Sequence, residues 1–277
     1  MTNWNGHGGS WGGDAPVYST DFDQTMEGQA CPYPDVWITT QRWKPSERRT
    51  GRDCIGRYTP TEDPSGWQAL KFGGAYYNEG MSCDPESEHE KRVLCFEAAE
   101  LLYLHAAHNG NPYGHLNLGY VYSYDRCEGR YWGKGTTWET EENPRAPYPH
   151  LEKAIEHYRA AASAGIAEAC YKLGDHLRDG RGCEADPSEA FRWFCKAYEL
   201  GRDQEPVVWG SAALRLGHAC EEGEGCQQSF EEAIEWYERA ATGLGIAVRG
   251  DEQWYRGALH RANAGLARVR QELDGRY

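Results

Sequence analysis

ACYKLGDHLRDGRGCEADPSEAFRWFCKAYELG, residues 169–201, reads as a helix, a glycine turn and a second helix. Ala169, Leu173 and Leu177 recur at helical spacing and mark one face of the first segment. Gly180 closes it, as suits a helix end that needs a left-handed residue. In the second segment Ala190, Phe194 and Ala197 stack on one side of a helix, the ring standing as a knob between two small residues.

The same pattern recurs outward along the chain. ALKFGGAYYNEG from Ala69, GHLNLGYVYSYD from Gly114 and AALRLGHACEEG from Ala212 align without gaps to the first segment, with Gly74, Gly119 and Gly217 in register with Gly174. AELLYLHAAHNG from Ala99, AIEHYRAAASAG from Ala154 and AIEWYERAATGLG from Ala233 follow the second, with Tyr103, Tyr158 and Tyr237 in register with Phe194, and Ala106, Ala161 and Ala240 in register with Ala197. Glycine inside a helix costs up to about 1 kcal/mol against alanine. Its recurrence at one place implies close backbone approach there, toward the lower limit of about 8 Å between helix axes. The expected fold is all-α, a stack of about four helix–turn–helix units.

The residues that carry this frame also carry a resemblance. Gly174, Gly180, Gly182, Asp186, Ala190, Trp193, Phe194 and Ala197, with Gly217, Gly223, Gly225, Ala233, Trp236, Tyr237, Ala240 and Ala241, resemble the Sel-one-like repeat, a branch of the tetratricopeptide-like superfamily. The resemblance spans about residues 65–245, and its first two copies depart from the family through long insertions. It implies an α/α solenoid over 65–277 that binds proteins or peptides on a concave surface lined by the first helix of each repeat. Cys183 and Cys226 stand where the family usually has Val, and are read as small buried apolar residues. Some secreted relatives join helices by a disulfide near Cys170. Ala162, the expected partner position in the preceding helix, is not Cys, which supports a cytoplasmic protein.

Both ends of the array have distinct compositions. Residues 252–274 place Trp254, Ala258, Leu259, Ala262, Leu266, Val269 and Leu273 on one stripe against Arg, Glu and Gln, as a C-terminal capping helix should. Residues 1–64 are rich in Gly, Pro, Asp and Thr and are expected to be irregular, with at most a short strand near Val36–Thr40. Trp37, Trp43 and Tyr58 could anchor this segment. Arg42, Lys44, Arg48, Arg49, Arg52 and Arg57 form a basic strip that either docks on the acidic end of the repeats or is a solvated loop. The stretch 125–149, with Trp132 and Trp138, is too long for a simple turn and reads as a packed lid or a partner-contact loop.

Composition narrows the function. A formal charge of −14 opposes nucleic-acid binding, which needs Lys and Arg to displace phosphate counterions, and favours encounter with a basic protein. No apolar stretch approaches the roughly 20 residues of a membrane span. The ten cysteines include no CxxC pair, so thiols are expected reduced and no structural zinc site is expected. Phosphate-binding, GxSxG and HExxH motifs are absent from the sequence, and no cofactor is implied. His105, His108 and His115 cluster near a helix end, and the His105-x2-His108 pair could chelate a metal or be a turn-capping or surface feature.

The leading expectation is a non-catalytic scaffold or adaptor. An acidic inhibitor or immunity-type protein is the alternative, and an enzyme with a site built by residues 1–64 and 125–149 comes third. The outward positions one, two and five after each frame glycine are Ala75, Tyr76 and Glu79, then Tyr120, Val121 and Tyr124, then Asp175, His176 and Asp179, then His218, Ala219 and Glu222. They would form a groove aromatic at one end and acidic at the other.

Overall fold

The computed structural model describes residues 63–126, 150–202 and 204–275. The basic strip, Trp37, Trp43, Tyr58, the strand near Val36–Thr40, and Trp132 and Trp138 lie outside the described residues. Regular structure among the described residues is helical: α1 (Trp67–Ser82), α2 (His89–His108), α3 (Pro112–Ser123), α4 (Leu151–Ser163), α5 (Ala167–Asp179), α6 (Pro187–Gly201), α7 (Pro206–Glu222), α8 (Phe230–Arg249), a 3-10 turn (Gln253–Tyr255) and α9 (Arg256–Asp274). The fold class is the expected α/α solenoid. The chain divides into two compact units at Ala154/Ile155.

In the first unit α2 packs against both α1 and α3. A side chain at Gly73 would meet the Tyr103 ring, and one at Gly80 the Phe96 ring. Early α1 therefore faces late α2, and the pair is antiparallel. Two asparagines tie the start of the unit to the α2–α3 turn. Asn109 Nδ2 donates to the Asp63 carbonyl at 2.8 Å and Asn111 Nδ2 to that of Ser65 at 3.0 Å. Asp63, itself buried, accepts from the Ala69 N–H at 2.8 Å. Asn109 Nδ2 also lies 3.1 Å from His105 Nε2, so this histidine belongs to the turn's hydrogen-bond network.

One register differs from the sequence reading. A Cβ on Gly74 would meet nothing within 4 Å, whereas one on Gly73 would press into Tyr103. The packing glycine of the first copy is therefore Gly73. Of two adjacent glycines, the helical phase of 100° per residue lets only one face the partner ring.

In the second unit α5 packs on α6, α7 on both α6 and α8, and α8 on α9, while the first helices α5, α7 and α9 also touch in sequence. The second helices α6 and α8 each drive their frame aromatic into a glycine. A Cβ on Gly174 would collide with the Phe194 ring, and one on Gly217 would sit 2.8 Å from the Tyr237 ring. The turns repeat as well. Gly180 and Gly223 end α5 and α7 at φ 64° and 76°, the left-handed region that penalises any side chain. Asp186 then caps α6 by accepting from the Glu189 N–H at 2.8 Å, and Ser229 caps α8 by accepting from that of Glu232 at 3.2 Å.

The capping helix exists, with Ala262 and Val269 fully buried and Leu259, Leu266, Ala258 and Leu273 half-buried. Its anchor is Gly265, whose Cβ would lie 2.5 Å from the other side of Tyr237, so that ring is clamped between two helices. Trp254 is 61% exposed and stays out of the stripe, because it precedes α9 in the 3-10 turn, where the helical phase does not apply. Cys170 Sγ lies 3.8 Å from the Ala162 carbonyl, so Ala162 does face Cys170. Cys183 and Cys226 are half-buried rather than core residues.

The register makes a paired prediction. Gly73→Ala should destabilise the chain by about 1–3 kcal/mol, since the Tyr103 ring must move. Gly74→Ala should be neutral or stabilise by up to about 1 kcal/mol through helix propensity. Thermal and urea unfolding of both variants check this, and equal losses would show that the two glycines are equivalent.

Candidate protein-binding surface

The residues expected on the outward face of the first helices divide sharply by burial. In the first unit Tyr76 is fully buried. With Gly73 as the packing residue it falls three positions on, where Leu177 and Cys220 sit after Gly174 and Gly217, and all three are core. Val121 is buried, and Tyr120, 9% exposed, stacks on Tyr124 at 6.0 Å between ring centroids. Tyr124 is half in solvent, with the Arg126 guanidinium 5.2 Å from its ring. Glu79 is half-buried beside Lys91 at 3.4 Å.

In the second unit His176 is buried, its Nδ1 2.8 Å from the Arg181 carbonyl and its ring 5.4 Å from that of Tyr158. Burial depresses its pKa. Ala219 is buried too. The second position after the glycine therefore points inward at Val121, His176 and Ala219, and Tyr76 with them is a core residue, not a groove residue. In a stacked array a first helix is covered on one flank by its own second helix and on the other by the next repeat. Only a narrow strip remains. On it stand Ala75 in the first unit, and His218, Asp179 and Glu222, with half-buried Asp175, in the second.

The acidic end of the expected groove is also revised. Arg215 grips Asp175 with Nε and Nη2, each 2.6 Å from a carboxylate oxygen, and Nη1 donates to the Ser211 carbonyl at 3.1 Å. Burial opposes ionisation of Asp175, yet the Arg215 charge and hydrogen bonds outweigh it and hold the carboxyl below its ordinary range. Arg178 Nε lies 2.7 Å from Asp179 and Nη1 3.6 Å from Asp175. These carboxylates are already matched by arginine.

Sequence reasoning missed what these arginines border. A cavity of about 540 Å³ opens between α7 and α9. Arg178 reaches it from α5, Leu214, Arg215 and His218 from α7, Tyr237 from α8, and Arg261, Ala264 and Arg268 from α9, with Glu224 at the turn. Arg268 is held from behind by Glu221, which accepts from Nε at 2.5 Å and Nη2 at 2.7 Å and also accepts a 2.5 Å hydrogen bond from the Tyr237 hydroxyl. Glu221 is buried. Burial pushes its pKa up, but Arg268 and Tyr237 bring it below the ordinary value. The available signal was the seven-residue spacing of Arg261 and Arg268, two helical turns on one face.

The two pairs have a pH signature. Both carboxyls have lowered folded-state pKa values, so their stabilisation is complete above the unfolded carboxyl range, about pH 4, and fades as pH falls through the folded values. Arg215→Met should cost about 2–3 kcal/mol at pH 7, because Asp175 is left mostly buried without its partner. Adding Asp175→Asn should recover part of that loss. Unfolding curves at pH 7 and pH 3.5 check both statements, with the Arg215→Met deficit shrinking at the lower pH.

Comparison with known proteins places these helix pairs. The Sel1 repeat family matches residues 151–166, 167–201 and 210–243. The matched spans begin with α4, and the register-shifted and interrupted copies of α1 to α3 lie outside them. Among solved structures, a Sel1 repeat protein from Oxalobacter formigenes is 22% identical, with 77% of this chain and 76% of that chain covered and a TM-score of 0.45. A protective antigen of uropathogenic Escherichia coli strains displaying an SLR fold is 18% identical, with 79% of this chain and 47% of that chain covered and a TM-score of 0.35. Comparison with curated proteins finds no match. With α5–α6 and α7–α8 each occupying one matched repeat, the chain carries Sel1 repeats over residues 151–201 and 210–243.

Proposed function

We propose that this protein is a non-catalytic scaffold that holds a protein or peptide partner on the surface formed by its first helices. Sel1 repeat proteins are generally protein-interaction scaffolds. The observation that carries the reading here is the cavity between α7 and α9, bordered by polar side chains that the fold holds in place and leaves facing solvent. A preorganised polar surface lowers the ordering cost of binding, which is what separates a docking face from ordinary helix exposure. Cytoplasmic residence is part of the proposal. No disulfide joins cysteines among the described residues, and no described helix is long and apolar enough to cross a membrane.

A second reading rests on the net charge of −14. In it the protein is an acidic inhibitor that neutralises a basic partner, with long-range attraction speeding encounter. Here contact falls on exposed carboxylates such as Glu231, Glu235 and Glu238 on the outer helix α8.

A photo-crosslinking side chain at His218, on the first-helix face, should capture a defined partner from the source cell. The same group at Glu235 should not. Capture at Glu235 alone would move the interface to the outer face and favour the inhibitor reading, and capture at neither would remove the scaffold reading.

A further inference from the structure

We propose that the cavity between α7 and α9 recognises an acidic peptide segment, taking its carboxylate side chains on a row of arginines; this rests on the scaffold reading above.

The argument begins with where charge is placed. The chain is acidic as a whole, yet the side chains bordering this cavity include Arg178, Arg215, Arg261, Arg268 and His218 against Glu224, with Asp175, Asp179 and Glu221 behind them paired to three of the arginines. Two of these arginines are fixed by carboxylates that sit in the wall. Glu221 is 6% exposed and Asp175 half-buried, and each engages Nε and Nη2 of its arginine. Arg215 spends Nη1 on the Ser211 carbonyl as well, whereas Arg268, held on one edge, presents its other edge in a defined direction, which suits hydrogen bonding to a planar carboxylate. Among the described residues Arg268 Nη1 has no hydrogen-bond partner and Arg261, exposed on α9, has no ion pair. These two guanidinium groups stand two turns, about 10 Å, apart on one helix face, so acidic residues about three positions apart in an extended peptide can meet both.

The apolar part of the wall fits the same ligand. Exposed Ala264 and the small accessible edge of Leu214 offer apolar surface for the methylene groups of Glu. The whole-chain charge does not prevent this. At about 0.1 M salt the field of distant charges fades over roughly 10 Å, whereas contacts inside the cavity are made at hydrogen-bond distance. Nucleic acid is a poorer occupant, because its uniform phosphate charge would also meet the surrounding carboxylates.

Fluorescence anisotropy of the full chain tests the proposal with labelled, end-blocked hexaglutamate, hexaglutamine and oligo-dT probes. Hexaglutamate should bind best. Arg261→Glu should weaken it about tenfold or more, the scale of one lost charge-assisted contact. Arg249→Glu, the same charge change on α8 away from the cavity, should alter it less than about twofold. Arg261 is exposed and unpaired among the described residues, so its variant should keep wild-type helicity. Equal binding of hexaglutamine, equal losses in the two variants, or oligo-dT binding as tight as hexaglutamate would each overturn the proposal. Crosslinking at His218 separates this from the scaffold reading. A partner captured there through a segment without acidic residues would defeat the acidic-peptide assignment and leave the scaffold standing.

Discussion

An aromatic ring pressed against the bare backbone of a glycine is the contact on which this structure depends. Phe194 lies on Gly174, Tyr103 on Gly73, and Tyr237 between Gly217 and Gly265. The ring replaces the side chain that glycine lacks, so two helices approach closely while the interface stays filled, which packing at crystal-like density demands. The helix cost of each glycine, about 1 kcal/mol, is offset by burying a ring, worth about 1.5–3 kcal/mol. The contact also positions neighbours. Because Tyr237 touches glycines on both sides, α9 is drawn alongside α7, and the cavity between them follows from that clamp.

Charge works around the same clamp. The Tyr237 hydroxyl donates a hydrogen bond to Glu221, and Glu221 holds Arg268 at the cavity edge. One buried carboxylate thus links the packing residue to a solvent-facing cation. Asp175 does the same for Arg215 across α5 and α7. A buried ion pair contributes little net stability against an apolar equivalent, but it specifies geometry. Here the geometry specified is that of arginine forks at the border of the cavity between α7 and α9, and a formal charge summed over the chain conceals it.

Local spacing made much of this legible beforehand. A glycine, an aromatic residue and an alanine recurring at helical intervals predict helix pairs, and Gly180 and Gly223 predict where helices end, because both depend only on residues within one or two turns. The facing of Ala162 and Cys170 was implied by the resemblance to the repeat family, not by spacing. The choice between Gly73 and Gly74 was not legible. Both satisfy the local pattern, and only the position of Tyr103 on another helix decides between them. Trp254 likewise fitted an apolar stripe on paper, but a 3-10 turn broke the phase.

The candidate surface was least legible, for a physical reason. Outward positions on an isolated helix can be counted from periodicity, but in a stack each first helix is covered from two sides, which buries Tyr76, Val121, His176 and Ala219. Nor does sequence reveal which charges neutralise one another. Asp175 and Arg215 are forty residues apart, and Glu221 and Arg268 forty-seven. The sequence by itself determined the repeat, its helices and its turns, since these are short-range consequences of small residues and rings. Tertiary packing alone decided which side chains reach solvent and what sign of charge they carry there, because burial and ion pairing belong to contacts between helices.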